Sequence, residues 1–419
     1  MGLNAHRVFK SDTETPSYLS GLTLDENTES GLRAARDEIR QALKDGLSDW
    51  PVLIAKNELL EGVALDSDPT LRPKFRMQGS FSYRTCNRPA QEGQEIDLDD
   101  GVFLPVSFLD QDGTIHPAIA SRGYFIAVER VLAPLCTKRS WDLVTDKSSC
   151  VRVQISKQAH IDLALYAIPD GDFETLIETA MARSLTQNRA SVRKSIEDAI
   201  EFAEAQYVQL PEDHIMLAHR DEGWKKSDPR KLEDWFRQAL KQHGEQLRRV
   251  SRYLKGWRDY QWASCRLASI ALMSAAVTAY QEAKAKIPEN RDDQALLMVV
   301  ERLSTILQGA INNPVVEGAR LDEGWTDEQR RQYSEKAQEL ESQLRSALQK
   351  STNANEALAM LTRSFGDRIP RDASLISQDV HDDSGLAAPS VLTMGLLQEI
   401  GDTQEAREAV KLEGDGRYG

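Results

Sequence analysis

The ten residues Ile96–Pro105, IDLDDGVFLP, constrain this chain more than any other stretch. Side chains alternate across a strand, so Ile96 and Leu98 share one face while Asp97 and Asp99 share the other. Two carboxylates on one face of an otherwise apolar strand repel. Such a pair is cheap to keep only where a cation sits between them, and hard oxygen ligands suit Mg2+. Upstream, Gln78, Gly79 and Ser80 open a Gly-Ser turn, and the Pro/Gly-containing loop NRPAQEGQE predicts a connection between adjacent strands. A glycine there leaves room for a phosphate to approach backbone N–H groups, and Ser80 adds a hydroxyl donor. Further on, AHIDLALYAIP alternates Ile161, Leu163 and Leu165 with His160, Asp162, Ala164 and Tyr166. Asp162 is therefore a third carboxylate able to meet the first two. His160 on that face is read as structural, because metal-driven transfer needs no histidine base.

A metal-dependent phosphoryl or nucleotidyl transferase would begin with such a donor set. Two ions about 3.5–4 Å apart activate an attacking hydroxyl and steady a triphosphate, and the barrier is mostly charge stabilisation and positioning.

The rest of the sequence narrows the possibilities. A net charge of −14 argues against a large nucleic-acid footprint, which needs a basic surface to displace counterions. Cys86, Cys136, Cys150 and Cys265 are scattered without ligand spacing, so neither a zinc site nor a disulfide framework is expected. The N-terminus lacks a signal-peptide apolar run, and residue 6 is His rather than the Ser or Thr wanted for myristoylation. Leu267 to Ala279 is too short to span a bilayer. A soluble, cytoplasmic protein with no membrane partner is expected.

With 419 residues the chain has length for two cores. Residues 1–24 read as a polar lead. Helical spacing of Leu32, Ile39, Leu43 and Leu47 predicts a helix from Asp25 towards Leu60, interrupted at Pro51. Its Arg33, Arg36 and Arg40 stripe is either a solvated face or an anion or partner site. A helix is expected over Ser121 to Leu135 and a strand over Val151 to Ile155, then helices from Phe173 onward. Ser227-Asp228-Pro229 signals a helix start, with that helix running on through Trp257. Further helices are expected over Ala268 to Lys284, Asp292 to Leu307, Thr326 to Lys350 and Asn355 to Phe365. Trp224, Trp235, Trp257 and Trp262 read as core at helical positions. The fold class is α+β: a mixed-sheet lobe over 25–205, a helical lobe over 206–370, the active site in the cleft between them, and a mobile tail over 371–419.

The order GS, then DxD on a strand, then a distant strand Asp is the signature of the polymerase β-like nucleotidyltransferases. QGSFSYRTCNRP, GQEIDLDDGVFLP, HIDLALYAIP, HRDEGWKKSDPRKLEDWF and YLKGWRDYQW closely resemble blocks of the CD-NTases, the DncV-like bacterial cyclic GMP-AMP synthases related to animal cGAS, over roughly residues 25 to 370. The resemblance implies a template-independent enzyme that joins ATP and GTP in two steps and closes them into a cyclic dinucleotide. It implies two Mg2+ ions, with Mn2+ as the substitute. It also implies an anti-phage role in which the diffusible product activates a separate effector. On the family pattern, Asp97, Asp99 and Asp162 are catalytic and hold the metal, and Gln78, Gly79 and Ser80 face the nucleotide. Lys255 and Ser269 match positions that hold the donor triphosphate. Tyr83, Arg152 and Tyr166 match positions around the nucleotides, and a last donor-site acid falls near Asp322. The tail ends at Gly419, matching cyclases whose C-terminus is conjugated by ubiquitin-transfer-like (E1/E2-type) proteins.

Plainer readings stand beside these. Lys255 also fits an exposed helix lysine, Ser269 a small residue at a helix contact, and Tyr166 ordinary packing. Alternative functions are a cyclic oligonucleotide of other base composition, a linear RNA-tailing transferase, and a non-catalytic nucleotide sensor. No stable nucleic-acid partner is expected.

Overall fold

The computed structural model describes residues 2–49, 72–105, 117–168, 215–227 and 229–379. Two hydrophobic clusters organise them. One lies between a mixed sheet and the helices Glu26–Gly46 and Pro117–Arg139, and the other is formed almost wholly by helices of the C-terminal half.

A two-residue strand, β1 (Leu3–Asn4), starts the chain. The larger sheet takes β2 (Lys74–Met77), β3 (Ile96–Pro105), β4 (Asp142–Val144), β5 (Val151–Ser156) and β6 (Ala159–Ile168) in the order β2-β3-β6-β5-β4. β3 and β6 are parallel, whereas β2 is antiparallel to β3 and β5 to β6. These two central strands are buried along most of their length, as parallel strands covered on both faces must be. Their register pairs Asp97 with His160 and Asp99 with Asp162. The parallel pairing sets the acids side by side at one end of the sheet.

Helix Glu26–Gly46 starts where the Asp25 side chain accepts from Thr28 N, and it buries Leu32, Ala35, Ile39 and Leu43 against the sheet. The arginine stripe beside these residues reaches the sheet edge and is not a free basic face. Arg40 makes two bonds of 2.7 and 2.6 Å to the fully buried Asp100, Arg33 pairs with Glu29, and Arg36 pairs with Asp37. Pro51 and the expected helix after Phe173 lie outside the described residues.

Helices Pro229–His243, Glu245–Gln261, Ser269–Gln281, Asp292–Gln308, Asp327–Arg345 and Ala354–Phe365 build the second body. Thr326 starts one of them with a reciprocal capping box to Gln329. The sequence predicts one helix running from Pro229 through Trp257. Gly244 divides it, with φ of +86°, a left-handed conformation that other residues rarely adopt.

Three further expectations are corrected. Residues 1–24 are not a detached polar lead, because Leu3, Ala5, Val8, Phe9, Tyr18 and Leu22 are buried in the helical core. The expected tail begins late, because β9 (Ser377–Gln378) pairs with β1 and Asp379 bonds Arg291 at 2.6 Å. Residues 215–226 belong to the sheet rather than the helical lobe. β7 (Met216–His219) pairs β6 and β8 (Gly223–Lys226) pairs β7, so Trp224 sits on a strand against Tyr124. Among the described residues no helix is long and apolar enough to cross a membrane.

Candidate active site

Three acids gather on one face of β3 and β6. Asp97, His160 and Asp162 each offer one ligand atom, all within 4.8 Å of one another. Asp99 stands in the same field, and its carboxyl is pushed up to about 7 by burial first, then by the charges of Asp97 and Asp162. One divalent cation would relieve all three. The cluster fits a metal on a local observation too, since Asp97 Oδ1 is buried and has no hydrogen-bond partner. A buried oxygen without a hydrogen bond, beside two other acids, suits a cation ligand.

Gly79 brings the Gly-Ser segment against this cluster. It sits at φ +60°, and a Cβ there would lie 1.9 Å from Asp99 Oδ2, so no other residue fits without displacing the carboxylate. Residues Gly79–Ser82 form one helical turn, and Gln78 N donates to Asp99 O at 2.9 Å, tying turn and strand together. Gly79→Ala is expected to cut turnover about 10²-fold by moving Asp99, since displacements near 1 Å at a reacting centre cost that much. A steady-state assay with a melting curve to confirm folding checks it.

The other residues singled out from sequence fall into three groups. Gln78 and Ser80 belong to the segment tied to Asp99, and Lys255 meets the loop that follows it. Gln78 Oε1 accepts from Tyr166 at 3.2 Å while its Nε2 is buried without a partner, and Ser80 lies against Cys86. Lys255 is no exposed helix lysine. It is 5% exposed, its Nζ donates to Thr85 O at 2.6 Å, and burial lowers its pKa to about 8. That side chain carries the helical body up to the Gly-Ser segment.

Arg152, Tyr83 and Tyr166 are close by but engaged, and Ser269 is engaged within the helical body. Arg152 grips Asp162 with two bonds of 2.7 and 2.8 Å, orienting that carboxylate. Tyr166 is buried and stacks on Phe103 at 4.7 Å and 12°, so its ring has a protein partner. Tyr83 packs edge-on to Phe236, and burial raises its hydroxyl pKa. Ser269 Oγ accepts from Arg258 at 2.9 Å where helix Ser269–Gln281 begins.

Asp322 is held elsewhere. Arg320 and Arg330 bond its carboxylate and Ile311 N donates to it at 3.0 Å, a closed cluster that anchors the loop before helix Asp327–Arg345. Gly419 lies outside the described residues.

One contributor was underrated in the sequence. The His160 ring lies between Glu95 and Asp97, with Nδ1 2.6 Å from Glu95 Oε2 and Nε2 3.2 Å from Asp97 Oδ1. The signal was present, because His160 alternates onto the face of Asp162. The parallel register that sets it opposite Asp97 was not readable from one strand alone.

Comparison with known proteins completes the picture. Residues 73–166 match the nucleotidyltransferase domain of the cyclic GMP-AMP synthase DncV-like family, and residues 244–378 match the C-terminal domain of cyclic GMP-AMP synthase. A cyclic GMP-AMP synthase of Escherichia coli is 30% identical over 369 residues, covering 86% of this chain and 81% of that protein. The chain belongs to the DncV-like cyclic GMP-AMP synthase family. A second family member, from Escherichia coli strain TW11681, is 34% identical over 208 residues, which span 49% of this chain and about half, 47%, of that protein. The fold is shared with Vibrio cholerae DncV cyclic AMP-GMP synthase, solved in complex with the linear intermediate 5′ pppA(3′,5′)pG. That comparison gives a TM-score of 0.72 at 24% identity, covering 91% of this chain and all of that one.

The ion-free site has a pH signature. A proton stays on folded Asp99 up to about pH 7 but leaves an unfolded aspartate near 3.8. The folded state therefore binds more protons between those values, and the ion-free protein loses stability as pH rises from about 4 to about 7. A divalent ion competes with that proton, so Mg2+ is expected to raise the melting temperature more at pH 8 than at pH 6. Melting curves with Mg2+ and with chelator at both pH values check this, and equal shifts would remove Asp99 from the ion's ligands.

Proposed function

We propose that this chain is a template-independent nucleotidyltransferase that joins ATP and GTP and closes them into 3′,3′-cyclic GMP-AMP. The observation that carries the reading is the convergence of Asp97, Asp99 and Asp162 on one face, with Gly79 pressed against the Asp99 carboxylate. When bound, two Mg2+ ions would supply the positive charge that activates a 3′-hydroxyl and offsets the charge of the leaving pyrophosphate.

The chain's own groups divide the remaining work. Asp97 and Asp99 would hold the ions, and Asp162, its carboxylate fixed by Arg152, would complete the acceptor side. Gly79 leaves open space for the triphosphate, and the Ser80 hydroxyl donates to it. Lys255 has three N–H donors, one of them given to Thr85 O, and adds a buried positive charge beside the same segment. Gln78 and Ser269 border the nucleotides. Burying these charges strengthens each interaction with the developing negative charge. A non-catalytic sensor would have no use for three acids crowded enough to hold a proton on one of them.

The family membership supports a role in anti-phage signalling from the cytoplasm, with the diffusible product reaching a separate effector. It also supports conjugation of Gly419 by a ubiquitin-transfer-like partner. Incubation with each pair of labelled triphosphates and Mg2+, followed by mass spectrometry of phosphatase-resistant products, tests the reading. A cyclic GMP-AMP product is expected from ATP with GTP, and a linear product alone would overturn it.

A further inference from the structure

The His160 imidazole has no part in the reaction above. It is 5% exposed, and its Nδ1 lies 2.6 Å from Glu95 Oε2, an oxygen that Gln154 Nε2 also bonds at 2.7 Å. A carboxylate fixed against Nδ1 takes the Nδ1–H and leaves the Nε2 lone pair facing the other way, the arrangement that orients metal-ligating histidines. Here Nε2 faces the acids, 3.2 Å from Asp97 Oδ1 and 4.0 Å from Asp162 Oδ1. Both Nε2 and Asp97 Oδ1 are buried and neither makes a hydrogen bond, since the two atoms are close but misaligned for one.

At that distance the two atoms need a positive species between them, either a proton on Nε2 or a cation in its place. A tetrahedral ion with ligands near 2.0 Å sets neighbouring ligand atoms about 3.3 Å apart, close to the separation observed. Mg2+ prefers oxygen and keeps its water, whereas imidazole nitrogen suits Zn2+ and its first-row neighbours.

The geometry points to a transition-metal site made by Asp97, His160 and Asp162, which takes Zn2+ and in doing so withdraws two acids from the hard cation that transfer requires. Arg152 remains on Asp162 through the lone pairs the ion leaves unused. Glu95 acts as a positioning residue, holding the ring in the ligating tautomer. The site shares Asp97 and Asp162 with the proposed reaction centre, but it rests on the geometry of the ring and not on the reaction.

The full chain, stripped of divalent ions, is titrated with Co2+ by visible absorption and with Zn2+ and Mg2+ by equilibrium dialysis. The same measurements are made on His160→Gln and Glu95→Gln, with circular dichroism as the check on folding. The unaltered chain should bind one Co2+ with visible bands of nitrogen and oxygen ligation. Glu95→Gln should weaken Zn2+ binding about 10-fold or more, and His160→Gln further, with Mg2+ affinity much less changed. Unchanged Zn2+ affinity in both variants, an equal loss of Mg2+ and Zn2+ binding, or a sulfur-to-cobalt charge-transfer band would each overturn the site. Should His160→Gln fail to fold, Glu95→Gln decides alone. Absence of nucleotide turnover with Mg2+ would overturn the reaction and leave these binding results standing.

Discussion

Replacing Asp97 and Asp99 together by Asn is expected to lower nucleotide turnover by at least ~10³-fold while the protein stays folded. The two losses separate because the acids oppose the fold that holds them. Burial first, then the charges of Asp97 and Asp162, raise the Asp99 pKa to about 7, a cost that isosteric amides do not carry. The melting temperature of the ion-free double variant at pH 8 should therefore equal or exceed that of the unaltered chain. Its melting temperature should also stop responding to Mg2+. Persistent turnover in the double variant would mean that the metal assignment is wrong.

The largest effect on stability is expected far from the acids. Asp292 is fully buried at the start of helix Asp292–Gln308, and Arg249 makes two bonds of 2.7 Å to its carboxylate. Tyr253 OH donates to it at 2.7 Å, and the backbone N of residue 292 donates to His6 Nδ1 at 3.1 Å. Asp292→Ala takes the shortest bonds from a guanidinium and a phenol, leaving Arg249 only Glu289 and Tyr253 only Phe9 O, which costs about 3 kcal/mol. Urea unfolding measures it. Removing Arg249 as well should recover part of the loss, because the worst consequence is the uncompensated charge. A double variant no more stable than the single one would show that the pair is not the source.

Why the acids were legible and the N-terminal segment was not follows from sequence distance. Strand alternation is local, so IDLDDGVFLP and HIDLALYAIP display which side chains share a face before any fold is known. Capped helices are nearly as plain: Pro229 opens one and the Thr326/Gln329 box another. Leu3, Ala5, Val8 and Phe9 follow no single period, and their partners include Asp293, whose carboxylate accepts from Ala5 N at 2.9 Å. Nothing within twenty residues announces that contact. The hairpin of β7 and β8 was missed for a related reason. Each of its strands has four residues, too short for alternation to outweigh the helical pattern that follows. At the site itself, sequence named the acids and Lys255, but whether a neighbouring side chain is open or already engaged is a three-dimensional fact. That is how Tyr166 stacks on Phe103 and Asp322 closes on two arginines.

The loop that follows the Gly-Ser turn acts as a spacer of fixed length. Covalently it belongs to the sheet, since it runs straight into β3. Its hydrogen bonds belong to helix Glu245–Gln261 and its end: Tyr83 O accepts from Arg248 at 3.0 Å, Thr85 O from Lys255 at 2.6 Å, and Asn87 donates to Arg252 O at 2.9 Å. Gln91 and Gln94 each donate to Asp259 O at 2.8 Å. A hinge that parted the two bodies at this edge would have to break the whole series at once. Opening on the side away from the loop would leave this edge intact, with Lys255 still anchored on Thr85 O. Under the reaction proposed above, such a site would meet a triphosphate at both ends and a shorter phosphate chain at one end only.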